Sequence, residues 1–377
     1  MLDKTKKSIL QKRFITLSFL ILNIILFFKL KLFLPQLTGK AALLDFDTYY
    51  RLVRDAKAGI NPYAISYMQS LGPPLVFIYF IFYSFLSLVK ARAISTLINI
   101  LVGFSVSWLL AKKYFPKNWI NYFLLLNFIF FSSFPMRFSI EMGQPNLIAT
   151  LLITLILVSK SPFQKSSFLS LLIAIKTFFL FSLLSYLRKN LKIVFKTLFF
   201  LGILIIFSFL FIKPAWYRYY LYERLPGIIS PTPKGISTGL DYYNQSLKST
   251  LNRFCLSSLY PSMEIIVFIF LSSLIFSFRS FELSIPSALI ISPVSWQHYF
   301  AVLFPILIST FVSAKNPLIK IALLFSGILW WIELPQLHNS PTNLINSVLA
   351  SHYFLSAFIL ALAIIFNLKL GKKFKIL

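Results

Sequence analysis

One cysteine stands in 377 residues, Cys255, so neither a disulfide within the chain nor a cysteine-based zinc site can form, and the redox compartment is unreadable. Acids are almost as scarce: 10 Asp+Glu against 37 Lys+Arg, a formal net charge of +27. There is no Walker loop, dinucleotide Gly pattern, HExxH or Gly-x-Ser-x-Gly, which removes nucleotide-loop, zincin and serine-hydrolase chemistry. Charge of either sign makes up 12% of the chain, where soluble domains carry about 25%. What fills the space is apolar: 58% hydrophobic and 18% aromatic residues, with a mean hydropathy of +0.80. A soluble chain of this size cannot hide that much apolar surface, so the sequence is that of an all-α polytopic membrane protein, read as a single domain over residues 1–377.

The basic residues sit in short clusters between apolar runs: Lys4, Lys6, Lys7, Lys12 and Arg13; Arg188, Lys189 and Lys192; Lys369, Lys372, Lys373 and Lys375. Such clusters suit juxtamembrane loops on an anionic leaflet rather than a nucleic-acid surface. A membrane helix needs ~20 apolar residues. About a dozen runs qualify as candidates: 14–34, 74–89, 93–111, 118–134, 147–159, 167–187, 193–212, 261–278, 283–295, 298–313, 317–334 and 344–366. The run 147–159 is short enough for a half-span or re-entrant segment. The basic start followed by an apolar run lacks a small-residue cleavage site and reads as a retained signal anchor. Basic clusters at both termini place both in the cytoplasm, with the loops of about 35–73 and 213–260 outside. In this count Lys112, Lys113 and Lys117 fall outside while Lys90 and Arg92 fall inside, against the charge rule.

Those two loops concentrate the acids Asp45, Asp47, Asp55, Glu223 and Asp241. In the first, Phe46, Tyr49, Tyr50, Val53 and Ala56 recur at helical spacing, predicting an amphipathic interfacial helix, capped by Asp47 and ended by Gly59 before Pro62. Asp45, at its start, suits a general base for an arriving hydroxyl; a second cap or a solvated loop acid is the plainer alternative.

Four further places interrupt the apolar pattern. Arg137 and Glu141 can pair along a helix, and Gly143-Gln144-Pro145-Asn146 breaks it, leaving backbone that must face protein or a water-filled cavity, or form an ordinary loop. Lys176, nine residues into an apolar run, costs at least ~2.5–3.5 kcal/mol in mid-membrane; it calls for a partner such as a phosphate, unless it snorkels. Asp241-Tyr242-Tyr243-Asn244-Gln245-Ser246-Leu247 with downstream Arg253 offers rings and amides that suit a sugar, and equally any polar loop. Ser292-Pro293-Val294-Ser295-Trp296-Gln297-His298-Tyr299 places an imidazole at a helix junction, able to bind a phosphate oxygen, move a proton or serve structure alone; His338 and His352 are the other histidines.

In order, Asp45-Phe46-x-x-Tyr49-Tyr50 with Gly59-x-x-Pro62-Tyr63, Gly143-Gln144-Pro145-Asn146, Lys176 with Asn244-Gln245-Ser246-Leu247 and Arg253, and Ser292-Pro293-x-Ser295-Trp296-x-His298 resemble the motifs of glycosyltransferase family 87, the C-type, polyprenyl-phosphate-mannose-dependent mannosyltransferases. The chain departs from the pattern at Thr177, where proline often follows the lysine, and at Pro145. The resemblance spans about 40–300, leaving C-terminal helices over about 301–367 and a basic tail, 368–377. It implies a C-type glycosyltransferase architecture of about 11–12 transmembrane helices. It also implies inverting transfer of a hexose, mannose by analogy, from a polyprenyl phosphate to a glycolipid or glycan hydroxyl at the outer leaflet of the plasma membrane. By carry-over Asp45 is the base, His298 and Lys176 steady the departing phosphate, and Arg253, Gln144, Asn146, Asn244, Gln245, Trp296 and Tyr49 bind substrate. No metal and no cofactor beyond the lipid-linked donor is implied. Residues alone leave open a lipid or sugar transporter or flippase, for which no repeat is visible, and a surface-polysaccharide polymerase or ligase.

Overall fold

A computed structural model describes residues 14–26, 34–64, 72–229, 243–334 and 344–373, with side chains to 370. Asp241, Tyr242, His338 and the terminal basic clusters up to Arg13 and from Lys372 lie outside the described residues or side chains. Among the described residues every regular element is helical, and the one extended pairing is an isolated bridge between Asn244 and Trp296.

Four helices are long and apolar enough to cross a bilayer: Leu88–Tyr114, Leu191–Ser208, Ser257–Phe278 and His352–Leu370. The pair Pro116–Ser132 and Phe134–Met142 adds a fifth if taken as one span bent by 63°. Shorter apolar helices cover Phe14–Leu26, Val76–Phe85, Asn146–Val158, Thr177–Leu187, Phe281–Ile291, Gln297–Ser313 and Pro317–Trp331. Long-range contacts sort their termini into two ends of one bundle. Around Asp45 gather the helix Leu44–Lys57, Gln144, Lys176 and His298. Arg92 joins that end through Asp47, and Lys213 through the Gly59 carbonyl. At the far end Lys160, Lys165, Lys189, Arg279 and Glu282 surround a second cavity.

This sorting corrects the mid-chain topology expected from hydropathy. Val76–Phe85 stays at the Asp45 end: Tyr49 stacks on Phe80 at 4.6 Å, Phe46 meets Tyr83 edge-on at 5.1 Å and Tyr50 donates to the Leu86 carbonyl at 2.7 Å. The run 167–187 instead breaks at Lys176 into Pro162–Ile175, which runs toward the Asp45 end, and a helical segment over Thr177–Leu187, which returns from it. With one expected span lost and one gained, twelve apolar segments of the described residues lie between the ends, of which four, or five with the bent pair, are long enough to cross a bilayer. Lys112, Lys113 and Lys117 move to the far end, and Arg92 joins the Asp45 end. The five far-end connections, 112–117, 159–165, 188–192, 279–282 and 314–316, carry ten Lys or Arg and one acid, Glu282.

The helix Leu44–Lys57 forms where periodicity places it, and its apolar stripe is buried: Phe46, Tyr49, Tyr50, Leu52, Val53 and Ala56. Its cover is protein, including Phe77, Phe80 and Tyr83, with Trp216 and Tyr220 in the same cluster. Gly59 closes it with φ +83°. Asp47 is not its cap. The helix starts at Leu44 without a side-chain cap, and Asp47 accepts from Arg92 Nε at 2.8 Å and Nη2 at 2.5 Å.

Candidate active site

Three helix interruptions deliver the polar groups. Phe134–Met142 ends at Gly143, whose left-handed φ of +67° turns the chain so that Gln144 points back over the first-loop helix. An added Cβ at Gly143 would lie 2.6 Å from Phe46 Cβ and 3.0 Å from Leu43 Cβ, so only glycine permits this close approach. Lys176 sits at the break between two helical segments with extended φ and ψ of −142° and 103°. After Ile291 the Ser292–Trp296 stretch leaves the helix, and a 3-10 turn over Gln297–Val302 carries His298.

These elements bring three sequence-distant side chains into a chain of polar contacts. Lys176 Nζ donates to Gln144 Oε1 at 3.1 Å, and Gln144 Nε2 donates to Asp45 Oδ2 at 2.7 Å. The two contacts fix the amide orientation, since its carbonyl must face the ammonium and its NH2 the carboxylate. His298 Nε2 lies 3.8 Å from the same Asp45 oxygen. The imidazole is buried between Phe138 and Tyr299, both edge-on, and neither ring nitrogen has a hydrogen-bond partner among the described residues. A buried polar group without a partner is costly, so His298 stands out among the residues of the cavity wall.

The Asp45 side chain is 35% exposed and opens on a cavity of about 370 Å³ lined also by Tyr49, Gln144, Trp296 and His298, with Leu44, Thr48, Phe138, Met142, Tyr243 and Tyr299 completing the wall. Burial raises the Asp45 carboxyl above the ordinary carboxylate value; the Gln144 hydrogen bond and the Lys176 cation lower it less. The site therefore offers one carboxylate of enhanced basicity and one uncommitted imidazole, beside aromatic walls. Among the described residues no three His, Cys, Asp or Glu side chains come together as a metal cage.

The remaining expected site residues, Lys176, Asn244, Gln245, Arg253 and Asn146, lie off the cavity wall. Lys176 does not line the cavity; its ammonium lies 3.7 Å over the Tyr299 ring and reaches Asp45 through Gln144. Asn244 Oδ1 accepts from the amides of Ser246 and Ser295, clasping the long loop to the Trp296 segment. Gln245 donates to the Ala350 carbonyl, and Arg253 donates to Ser351 Oγ, the Asn244 carbonyl and Thr250 Oγ1, so both tie the loop to the C-terminal helices. Asn146 is buried at the start of its helix and does not line the cavity. The expected Arg137–Glu141 pairing gives way to a 2.8 Å ion pair between Arg137 and Glu333. Tyr243 lines the cavity as one of the rings of the 241–247 stretch, whereas sequence reasoning passed over Phe138 and Tyr299 as wall residues. The signal was their adjacency to the polar motifs, since Phe138 follows Arg137 and Tyr299 follows His298.

The model of glycosyltransferase family 87 matches residues 71–279, more than half the chain. No curated protein matches it. The matched region contains Gln144 and Lys176 and stops short of Asp45 on one side and His298 on the other. It is the fold that brings those two residues to Gln144.

Proposed function

The chain belongs to glycosyltransferase family 87 and is a membrane glycosyltransferase; we propose that it moves a hexose, mannose by family analogy, from a polyprenyl phosphate to a glycolipid or glycan hydroxyl. Family membership sets the transporter reading aside. The observation that carries the proposal is Asp45: one carboxylate facing the cavity, held by Gln144 at 2.7 Å with Lys176 behind it.

In the reaction an acceptor hydroxyl in the cavity gives its proton to Asp45 as its oxygen forms the new bond to the sugar C1. The C1–O bond to the lipid phosphate breaks on the opposite face, so the anomeric configuration inverts. Gln144 aims the carboxylate, and Lys176 holds Gln144. His298, with no protein partner for its ring nitrogens, can donate to a phosphate oxygen as its charge grows; a preorganised donor in a water-poor site acts there without reorganisation. Trp296, Tyr243 and Tyr49 supply flat apolar faces for the sugar.

The far-end connections hold ten cations against one acid, Glu282, which supports placing that end in the cytoplasm and the Asp45 cavity at the outer leaflet. Purified protein in lipid, given labelled polyprenyl-phosphate mannose and a panel of glycolipid and polysaccharide acceptors, tests the assignment. Transfer with inversion supports it. Transfer with retention excludes the single displacement, and transfer from a nucleotide sugar alone excludes the lipid donor.

A further inference from the structure

The second cavity lies at the opposite end of Asn146–Val158 and Pro162–Ile175 from Asp45 and has no part in the proposed reaction. It encloses about 300 Å³. Lys160, Lys165, Lys189 and Arg279 line it from three connections, beside one acid, Glu282, and the apolar Ile156, Leu157, Ile193 and Phe281. None of the four cationic side chains makes an ion pair or hydrogen bond among the described residues, and Glu282 is engaged by Ser280 Oγ at 3.3 Å.

Two independent features point at the same space. Pro162–Ile175 and Leu191–Ser208 both begin at this cavity without a side-chain cap, where negative charge is favoured, although Pro162 has no N–H to offer and the Ile193 N–H is taken by the Asn190 carbonyl. Arg279 also holds a left-handed φ of +54°, a conformation ordinarily left to Gly or Asn at a helix end. A strained backbone that keeps an arginine where glycine would be easier needs a reason, and a bound anion provides one.

We propose that this cavity binds a phosphate group through Lys160, Lys165, Lys189 and Arg279, with the bilayer's anionic phospholipid headgroup as the source that its apolar side accommodates. Basic pockets between membrane helices recognise such headgroups. The site is independent of which sugar the enzyme moves, and its occupancy braces the connections that join six helices.

The experiment measures thermal unfolding and lipid binding of the full chain in neutral detergent on adding phosphatidylglycerol, phosphatidylcholine or inorganic phosphate. Stabilisation by phosphatidylglycerol beyond phosphatidylcholine supports the site. A similar shift from inorganic phosphate assigns the recognition to the phosphate alone, and its absence assigns it to the headgroup with its chains. Each cation removed, as in Lys165→Gln, is expected to weaken phosphatidylglycerol binding about fivefold, while Lys57→Gln, on the first-loop helix at the Asp45 end, leaves it unchanged. Glu282→Gln is expected to tighten it. Arg279→Gly keeps the unliganded protein at least as stable, since it relieves the backbone, yet binds more weakly. Equal responses to the two phospholipids, or unchanged binding in both Lys165→Gln and Arg279→Gly, overturn the proposal.

Discussion

Asp45 holds its proton more tightly than an ordinary carboxyl, because its burial outweighs the hydrogen bond from Gln144 and the cation of Lys176. A base must be ionised, so transfer activity falls as pH drops through this raised value, and the acid limb of the pH–rate profile lies above the ordinary carboxylate range. Gln144→Leu and Lys176→Met each remove an influence that lowers the carboxyl, so both move that limb to higher pH, besides slowing the reaction. A limb unmoved in both variants separates it from Asp45. The stability sign is the reverse of that for a salt-bridged acid. Between the unfolded and the raised folded pKa the folded state holds a proton that the unfolded state has lost, so this contribution is present below the window and lost as pH rises through it. Asp45→Asn is therefore expected to unfold at the same temperature or higher at neutral pH. Asp45, Gln144, Trp296, His298 and Tyr49 stand out in the sequence as polar or amphipathic groups in an apolar chain, and the fold gathers them around one cavity. Arg253, Asn244 and Gln245 stand out equally, yet lie off the cavity wall and clasp the long loop to its neighbours; composition does not say which buried polar groups a fold turns toward a cavity and which toward backbone.

Gly143 is where one element's ending sets the site. Gly143→Ala forces a side chain into the left-handed region and a Cβ within 2.6 Å of Phe46, and is expected to cost about 1–3 kcal/mol of stability and to displace Gln144. Thermal unfolding with a matching loss of activity checks this; an unchanged unfolding temperature shows that the turn relaxes freely. The helix Leu44–Lys57 was readable to its stripe and its Gly59 end, because its 3.6-residue period is strong and its face is half polar. The break at Lys176 was not. An apolar run carries no local sign of where it bends, and the interruption follows from placing the ammonium beside Gln144 and Tyr299. Val76–Phe85 was misread as a span for the same reason, since hydropathy does not distinguish a helix bathed in lipid from one covered by Phe46 and Tyr49.

Across the whole molecule the two ends differ in charge, and the revised path places ten cations in the far-end connections against one acid, Glu282. Single cysteines replacing Lys117, Lys165 and Lys189 in a Cys255→Ser background are expected to react with an impermeant thiol reagent from one side of the membrane, and one replacing Arg218 from the other. Labelling of Lys165→Cys together with Arg218→Cys contradicts the path. The membrane class and family were legible from composition and four short motifs, whereas the order of crossings needed long-range contacts that no window of sequence contains. The claim on which the account rests is that the Asp45 carboxylate performs the chemistry. The direct measurement is the single-turnover rate of sugar transfer from polyprenyl-phosphate mannose by wild type and Asp45→Asn, each reconstituted in lipid and shown folded by its unfolding temperature. The account predicts a loss of about 10²–10⁴-fold with an unfolding temperature unchanged or raised. Comparable rates in the two proteins contradict it.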